Sequence, residues 1–232
     1  MFLTALESAR VHSGSPRLAL AASCLVAAVI VAEFAVYWLH RLLHSHRITW
    51  LSRSHLIHHF ETYPPNGALR SHDYADATDG RFSLGNIGLE WIAPSALILL
   101  VCFLAVHALG LPAWSQVLFL SALLIWPHFV FSYLHDRMHL LEFWMADAPI
   151  LKYWFRQARR LHDIHHRSIA NDGRMDANFG IGFFFFDRVF QTIEKRHHPL
   201  NPRGLSAARE RLRADGISED ESALTQNSAP EH

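Results

Sequence analysis

The chain has 232 residues, half of them hydrophobic and 18% charged, with 21 Lys and Arg balanced by 21 Asp and Glu. That length suits one domain, and the balanced charge excludes the basic footprint of a nucleic-acid binder. Its two cysteines, Cys24 and Cys102, lie inside separate apolar runs, which excludes a disulfide framework and a CxxC metal or redox motif. Histidine, with 18 copies, is the residue in excess, and metal, proton or haem chemistry is where such an excess belongs.

In chain order, residues 1–17 are set apart as an N-terminal segment. From Leu18 to Leu39 the sequence is apolar apart from Glu33, long enough to cross a hydrocarbon core about 30 Å thick. Its Tyr37-Trp38-Leu39-His40-Arg41 ending is an aromatic and basic border, which predicts an anchored transmembrane helix rather than a cleaved signal peptide. Two further runs without Asp, Glu, Lys or Arg, Ile92 to Leu111 and Ala113 to Leu134, are separated by the turn at Gly110-Leu111-Pro112, so they form an antiparallel hairpin. Pro127 is expected to kink or loosen the end of the second. The segments Arg41 to Glu90 and Asp136 to Arg203 carry most of the basic residues and are assigned to the cytoplasmic side, with the N-terminus outside. Residues 204–232 show no apolar periodicity and read as a largely disordered tail. The fold predicted is all-α: a membrane helical bundle of three to four transmembrane helices in residues 18–203, under a cytoplasmic histidine-rich helical cap.

Ten histidines fall into four clusters: His40 and His44 in HRLLH, His55, His58 and His59 in HLIHH, His135 and His139 in HDRMH, and His162, His165 and His166 in HDIHH. Spacings of three and four place imidazoles on one helical face. A shuffled chain of this composition would hold about one HxxxH but only about a tenth of one HxxHH, and here HxxHH occurs twice, each time after an HxxxH. Buried imidazole nitrogens left unpaired cost about 1–3 kcal/mol each, and a metal compensates them. All-imidazole ligation suits Zn, Cu, Fe or Ni, and the absence of cysteine from the clusters argues against a structural zinc ribbon. Ten ligands are too many for one ion, so a dinuclear centre with four or five imidazoles per ion is expected.

The order HxxxH, HxxHH, HxxxH, HxxHH around membrane hairpins resembles the fatty acid hydroxylase superfamily, which includes sterol desaturases and sphingolipid hydroxylases. Asn178-Phe179-Gly180 and Asp187-Arg188-Val189-Phe190-Gln191-Thr192 are similar to the family's closing NFG and WDRLFGT elements, with Phe186 where Trp is usual and Gln191 where Gly is usual. The resemblance spans Glu33 to Thr192. It implies a non-haem di-iron oxygenase in which His40, His44, His55, His58, His59, His135, His139, His162, His165 and His166 hold two Fe ions, with Zn a possible substitute. It also implies four transmembrane helices, where three are found.

Around the clusters, Glu33, Tyr37, His40 and His44 share one helical stripe. An intramembrane carboxylate is a functional candidate, and Glu33 is expected either to accept a hydrogen bond from a ligand imidazole or polarise a water, or equally to be hydrogen-bonded to a neighbouring helix. His128 shares a face with His135 and His139 and is expected to line the same cavity. Asp136 and Asp163 are expected to pair with nearby Arg, and His46, His72, His107, His197 and His198 to be structural. The aromatic patches at Phe183–Phe186, Trp144, Trp154 and Phe155 suit helices lying at the interface.

The activity expected is O2-dependent hydroxylation or desaturation of a lipid C–H, the lipid being a fatty acyl, sterol, sphingolipid or carotenoid. No GxGxxG fingerprint, cysteine cluster or HPGG haem signature is present, so electrons are expected from a separate ferredoxin or cytochrome b5-type donor. The alternatives are a metal-binding or metal-transport membrane protein, which would need ligands at mid-membrane depth, and a haem carrier using His107 and His128.

Overall fold

Long aliphatic runs broken by few prolines and glycines set the architecture, which is all-helical among the described residues. The structure is a computed structural model describing residues 2–45, 47–65, 69–71 and 92–216, with side chains from Pro16 onward. Helix α1 is Phe2–Leu43 and α2 is Thr49–Ile57, the latter widened at its end into a π-helical turn, His58–Thr62. Helix α3 is Ile92–Ala108; α4 is Ala113–Pro127, continued by a π-helical segment, His128–Leu134, and a last α-turn, His135–Arg137. Three more follow: α5, Lys152–Arg167; α6, Phe185–Val189; and α7, Pro202–Ala214. Two isolated bridges, Arg70 with Leu140 and Ile169 with Met175, are the extended pairings among the described residues.

Two helical stretches, Pro16–Leu43 and Ala113–Arg137, are long and apolar enough to cross a membrane, and 28% of the apolar window of each is buried. The core helix of a soluble protein would be covered on most of its surface. Here Leu25, Val26 and Ile30 of α1 and Val117, Leu124 and Ile125 of α4 point outward. Helix α3 has 17 residues, at the short limit for a span, and the turn to α4 passes through Gly110 at φ +66, a left-handed conformation that glycine adopts without steric penalty. Cys24, Ala28 and Ala32, four residues apart, form a small-residue stripe on α1 that buries against Val106 of α3 and Phe119 and Leu123 of α4; small side chains let helix backbones approach closely.

At the other end of the bundle, Val36, Val130, Leu134, Met138, Phe155, Leu161 and Ile164 form the core that seats α5 against α1 and α4. One face of α5 is buried, including all three of its histidines.

Helix α1 runs unbroken from Phe2 through Pro16 and on past the boundary expected at residue 17. Past Pro127 the chain stays helical but widens, the loosening expected there. Proline lacks the N–H that would close an α-turn and its ring crowds the carbonyl four residues back, and the wider π turn begins directly after it. The tail boundary at residue 204 falls inside α7, whose Asn201 cap accepts from Gly204 N and whose Ala208 and Leu212 pack on Leu56, Phe60, Ile169 and Met175. Residues 217–232 of that tail lie outside the described residues, as do His46 and His72.

Candidate metal centre

The four histidine clusters converge at the end of the bundle and sort into two groups. In the first, one nitrogen each from His40, His44, His55, His59 and His165 lies within 4.8 Å of all the others; the same holds in the second for His58, His135, His162 and His166, and all nine side chains are buried. His139, half-buried, adds a nitrogen to the second group, its Nε2 standing 3.1 Å from that of His58 and 3.0 Å from that of His162. Each group thus takes an HxxxH pair, the i, i+4 pair of one HxxHH motif and the middle histidine of the other. The wide turn at His58–Thr62 helps send His58 to one side while His55 and His59 face the other.

Hydrogen bonding between imidazoles does not account for this packing. His44 Nε2 lies 3.0 Å from both His55 Nε2 and His165 Nε2, and His55 Nε2 lies 3.1 Å from His59 Nε2. His162 Nε2 likewise meets His139 at 3.0 Å and His166 at 3.1 Å. An imidazole nitrogen carries one proton or one lone pair in the ring plane, so a nitrogen with two such neighbours can satisfy only one. Moreover, His40 Nε2 and His135 Nε2 are buried without a hydrogen-bond partner. Lone pairs crowded together and left unmatched are what a cation at their centre would resolve, and the donor set fits a transition metal.

Three of the outward nitrogens are held by backbone carbonyls. Nδ1–H of His40 donates to Phe179 O at 2.7 Å, that of His165 to Ala177 O at 2.6 Å, and that of His166 to Tyr63 O at 3.2 Å. A carbonyl can only accept, so each contact fixes the proton on Nδ1 and turns the Nε2 lone pair inward. Asp136 Oδ1 stands 3.7 Å from His58 Nδ1 and 3.8 Å from His135 Nδ1. It therefore faces two site imidazoles. Asp163 pairs with Arg167 at 3.5 Å and with His197 at 3.5 Å. Burial is the main force holding the His55, His58, His59, His139, His162 and His166 imidazoles well below their usual pKa, with neighbouring imidazoles adding to it. Burial also pushes His165 down to about 4. The neutral form is the one that binds metal.

The carbonyls of Ala177 and Phe179 belong to a clamp whose role sequence reasoning missed. Asn178 adopts φ 57. Its Nδ2 donates to Leu161 O at 3.0 Å and Glu194 O at 2.9 Å, and its Oδ1 accepts from Glu194 N at 2.8 Å. Buried Asp187 accepts from Phe179 N and Gly180 N at 2.7 Å each and from Thr192 Oγ1 at 2.8 Å. Gly180 is required by this approach, since a Cβ there would lie 2.7 Å from Asp187 Oδ2. The motif residues Asn178, Gly180, Asp187 and Thr192 thus aim two backbone oxygens at His40 and His165. Tyr37 joins the clamp, its hydroxyl 3.2 Å from Thr192 Oγ1.

Glu33 serves neither an imidazole nor the metal groups. Its Oε1 accepts from Trp126 Nε1 at 2.7 Å and its Oε2 from Phe183 N at 3.0 Å, so it ties α1 to α4 and to the chain leading into α6. His128 is exposed and lines a cavity of about 590 Å³ between α1, α3 and α4, apart from the histidine groups. Phe131 is the wall between them: its ring borders that cavity and lies 5.6 Å from His40, 5.8 Å from His55 and 5.2 Å from His135. His107 stacks on Phe103, and His198 pairs with Glu194; neither approaches the centre.

A family model described as fatty acid hydroxylase matches residues 25–192, a span that contains all ten clustered histidines and the Asn178 to Thr192 clamp. The chain belongs to the fatty acid hydroxylase family, as the resemblance of its motifs implied. Membership implies a membrane-associated oxidoreductase acting as a hydroxylase. No curated protein and no solved structure matches the chain.

Proposed function

We propose that the protein is a membrane-bound, non-haem di-iron oxygenase that hydroxylates or desaturates an unactivated C–H of a lipid. One observation carries the proposal: two groups of neutral, inward-turned imidazoles share a phenylalanine wall with an apolar cavity of about 590 Å³, a size in the range of small-molecule sites. When bound, two irons supply activation of O2 and removal of hydrogen from the substrate carbon.

Iron suits the donor set. Six neighbouring Nε2 pairs lie at 3.0–3.1 Å, close enough for each group to share one ion, and all-imidazole ligation suits iron. In the first group His40, His44, His55, His59 and His165 would be the ligands; in the second, His58, His135, His139, His162 and His166. Phe179 O and Ala177 O hold ring orientation, Leu39 and Phe131 keep water from the apolar side, and the cavity walls align the chain. Electrons come from a separate donor protein of ferredoxin or cytochrome b5 type meeting the basic, cytoplasmic side. Metal transport is disfavoured because ligands gathered at one end of the bundle mark no path through it.

The test is metal content per chain of protein purified in mild detergent, for wild type, His44→Ala/His59→Ala and His162→Ala/His166→Ala. Near two irons in wild type, no more than one in either variant and no haem band are expected. Metal-free wild type, or content unchanged in both variants, overturns the proposal.

A further inference from the structure

Nothing yet assigned says which end of a lipid enters the cavity first, and the distribution of its polar groups addresses that. Of the fourteen described residues that line it, two carry hydrogen-bonding side chains, Ser95 and His128, and none is Asp, Glu, Lys or Arg. Because α3 and α4 form a hairpin about Gly110, residues equally distant from the turn stand at the same depth. Ser95 is therefore level with Pro127 and His128, and Leu99 with Leu123. The polar pair sits at the histidine end, beside Phe131. The opposite end, about 6–7 Å deeper at 1.5 Å per residue, is wholly apolar at Leu99 and Leu123. At the rim, Ile92, Leu124 and Ile125 are more than half exposed, which leaves sideways entry from the bilayer.

We propose that this cavity takes an uncharged amphiphile head-first, its hydroxyl or amide bonded to His128 and Ser95, so that the C–H offered past Phe131 lies within a few bonds of that head. The inference rests on the oxygenase proposal and deepens it by naming the substrate class. A hydroxyl or amide needs a donor and an acceptor, which an imidazole and a serine hydroxyl supply together. A carboxylate or phosphate would be buried with no cation among the lining residues, a far larger desolvation penalty. His128 to Phe131 is three residues, a rise of about 4 Å along the helix, so the carbon nearest the histidines is close to the head. A lipid oxidised at mid-chain or at its methyl end would place its head elsewhere and leave the polar pair unused.

The experiment is photo-crosslinking of purified, metal-analysed protein in lipid nanodiscs by a sixteen-carbon primary alcohol carrying a diazirine either beside its hydroxyl or about six carbons further along its chain, a reach that matches the depth of Leu99 and Leu123. The first probe is expected to label Phe131, His128 or Ser95, and the second Leu99 or Leu123. His128→Ala is expected to weaken displaceable labelling about three- to tenfold, the loss of one hydrogen bond, with metal content unchanged, and the sixteen-carbon carboxylate to compete at least tenfold more weakly than the alcohol. The reverse labelling pattern, labelling by both probes outside the cavity, or equal competition by the carboxylate overturns the inference. Metal content keeps the two proposals apart: metal-free protein labelled head-first breaks the oxygenase reading alone, and two-metal protein labelled tail-first breaks this one alone.

Discussion

Around the histidines, three rings are oriented by named backbone oxygens, His40 by Phe179 O, His165 by Ala177 O and His166 by Tyr63 O, whereas the α3–α4 hairpin that leads to them packs on α1 chiefly through small and apolar groups. Helix α3 buries Val106 and little else, and α4 in its first part buries Ser115, Phe119 and Leu123. On α5, by contrast, seven of sixteen residues are buried, three of them histidines. The difference suits the roles proposed for the two regions. Nitrogens that are to share one ion lose their common centre if misplaced by about 1 Å, and the far-side hydrogen bonds of those three rings resist that. An apolar cavity that is to admit a lipid from the side needs adaptable walls, and apolar packing with few directional bonds provides them.

The largest separation between the two regions is expected on acidification of metal-stripped protein. Burial keeps His55, His58, His59, His139, His162, His165 and His166 neutral in the folded chain below the pH at which they would protonate when unfolded. Their contribution is intact above about pH 6.5 and is lost as pH falls below it, because the unfolded state then binds more protons. Each such imidazole contributes a slope of up to about 1.4 kcal/mol per pH unit. Unfolding midpoints measured from pH 7.5 to 5.5 are expected to fall steeply, and less steeply in His162→Gln/His166→Gln; equal slopes would show that these rings are not buried neutral.

Next in size is Asp187→Ala, which strips the acceptor from Phe179 N, Gly180 N and Thr192 Oγ1. A loss of about 3 kcal/mol and a metal affinity weakened about 10- to 100-fold are expected by thermal melts and chelator competition. Unchanged affinity would detach the clamp from the centre. Glu33→Gln tests the membrane side: it weakens the tie to Trp126 and Phe183, for about 1–2 kcal/mol, and leaves metal content untouched, whereas metal loss would return Glu33 to the site. Smallest is Gln191→Gly. Gln191 adopts φ 59, so glycine is expected to raise stability by about 1 kcal/mol; a drop in melting temperature would show that the glutamine side chain outweighs its backbone strain.

The centre was legible in the sequence because metal chemistry uses one residue type at helical spacing, and ten histidines in four motifs are visible without a fold. Which histidine joins which of the two groups was not, since it depends on the π turns and on how α2 and α5 face each other. Asn178, Asp187 and Thr192 were visible as a family motif but not as a clamp, because their work is done through backbone oxygens. For Glu33 the sequence leaves two readings open, because a stripe along one helix gives direction but not partner; the structure shows the tie to a neighbouring helix, to Trp126 and Phe183 about 90 and 150 positions away. Helix α7 escaped notice because its anchors, Gly204, Ala208 and Leu212, are few among charged residues.

The exchange of middle histidines has a thermodynamic corollary. Because His58 leaves its motif for the second group and His165 leaves its own for the first, ions held in both groups would draw on the same two helices, α2 and α5. Filling either centre would fix the orientation of those helices and so lower the ordering entropy left for the other. Loading would then be positively cooperative: the singly occupied chain would be the scarcest species in a titration, and damage to one centre would empty its neighbour as well.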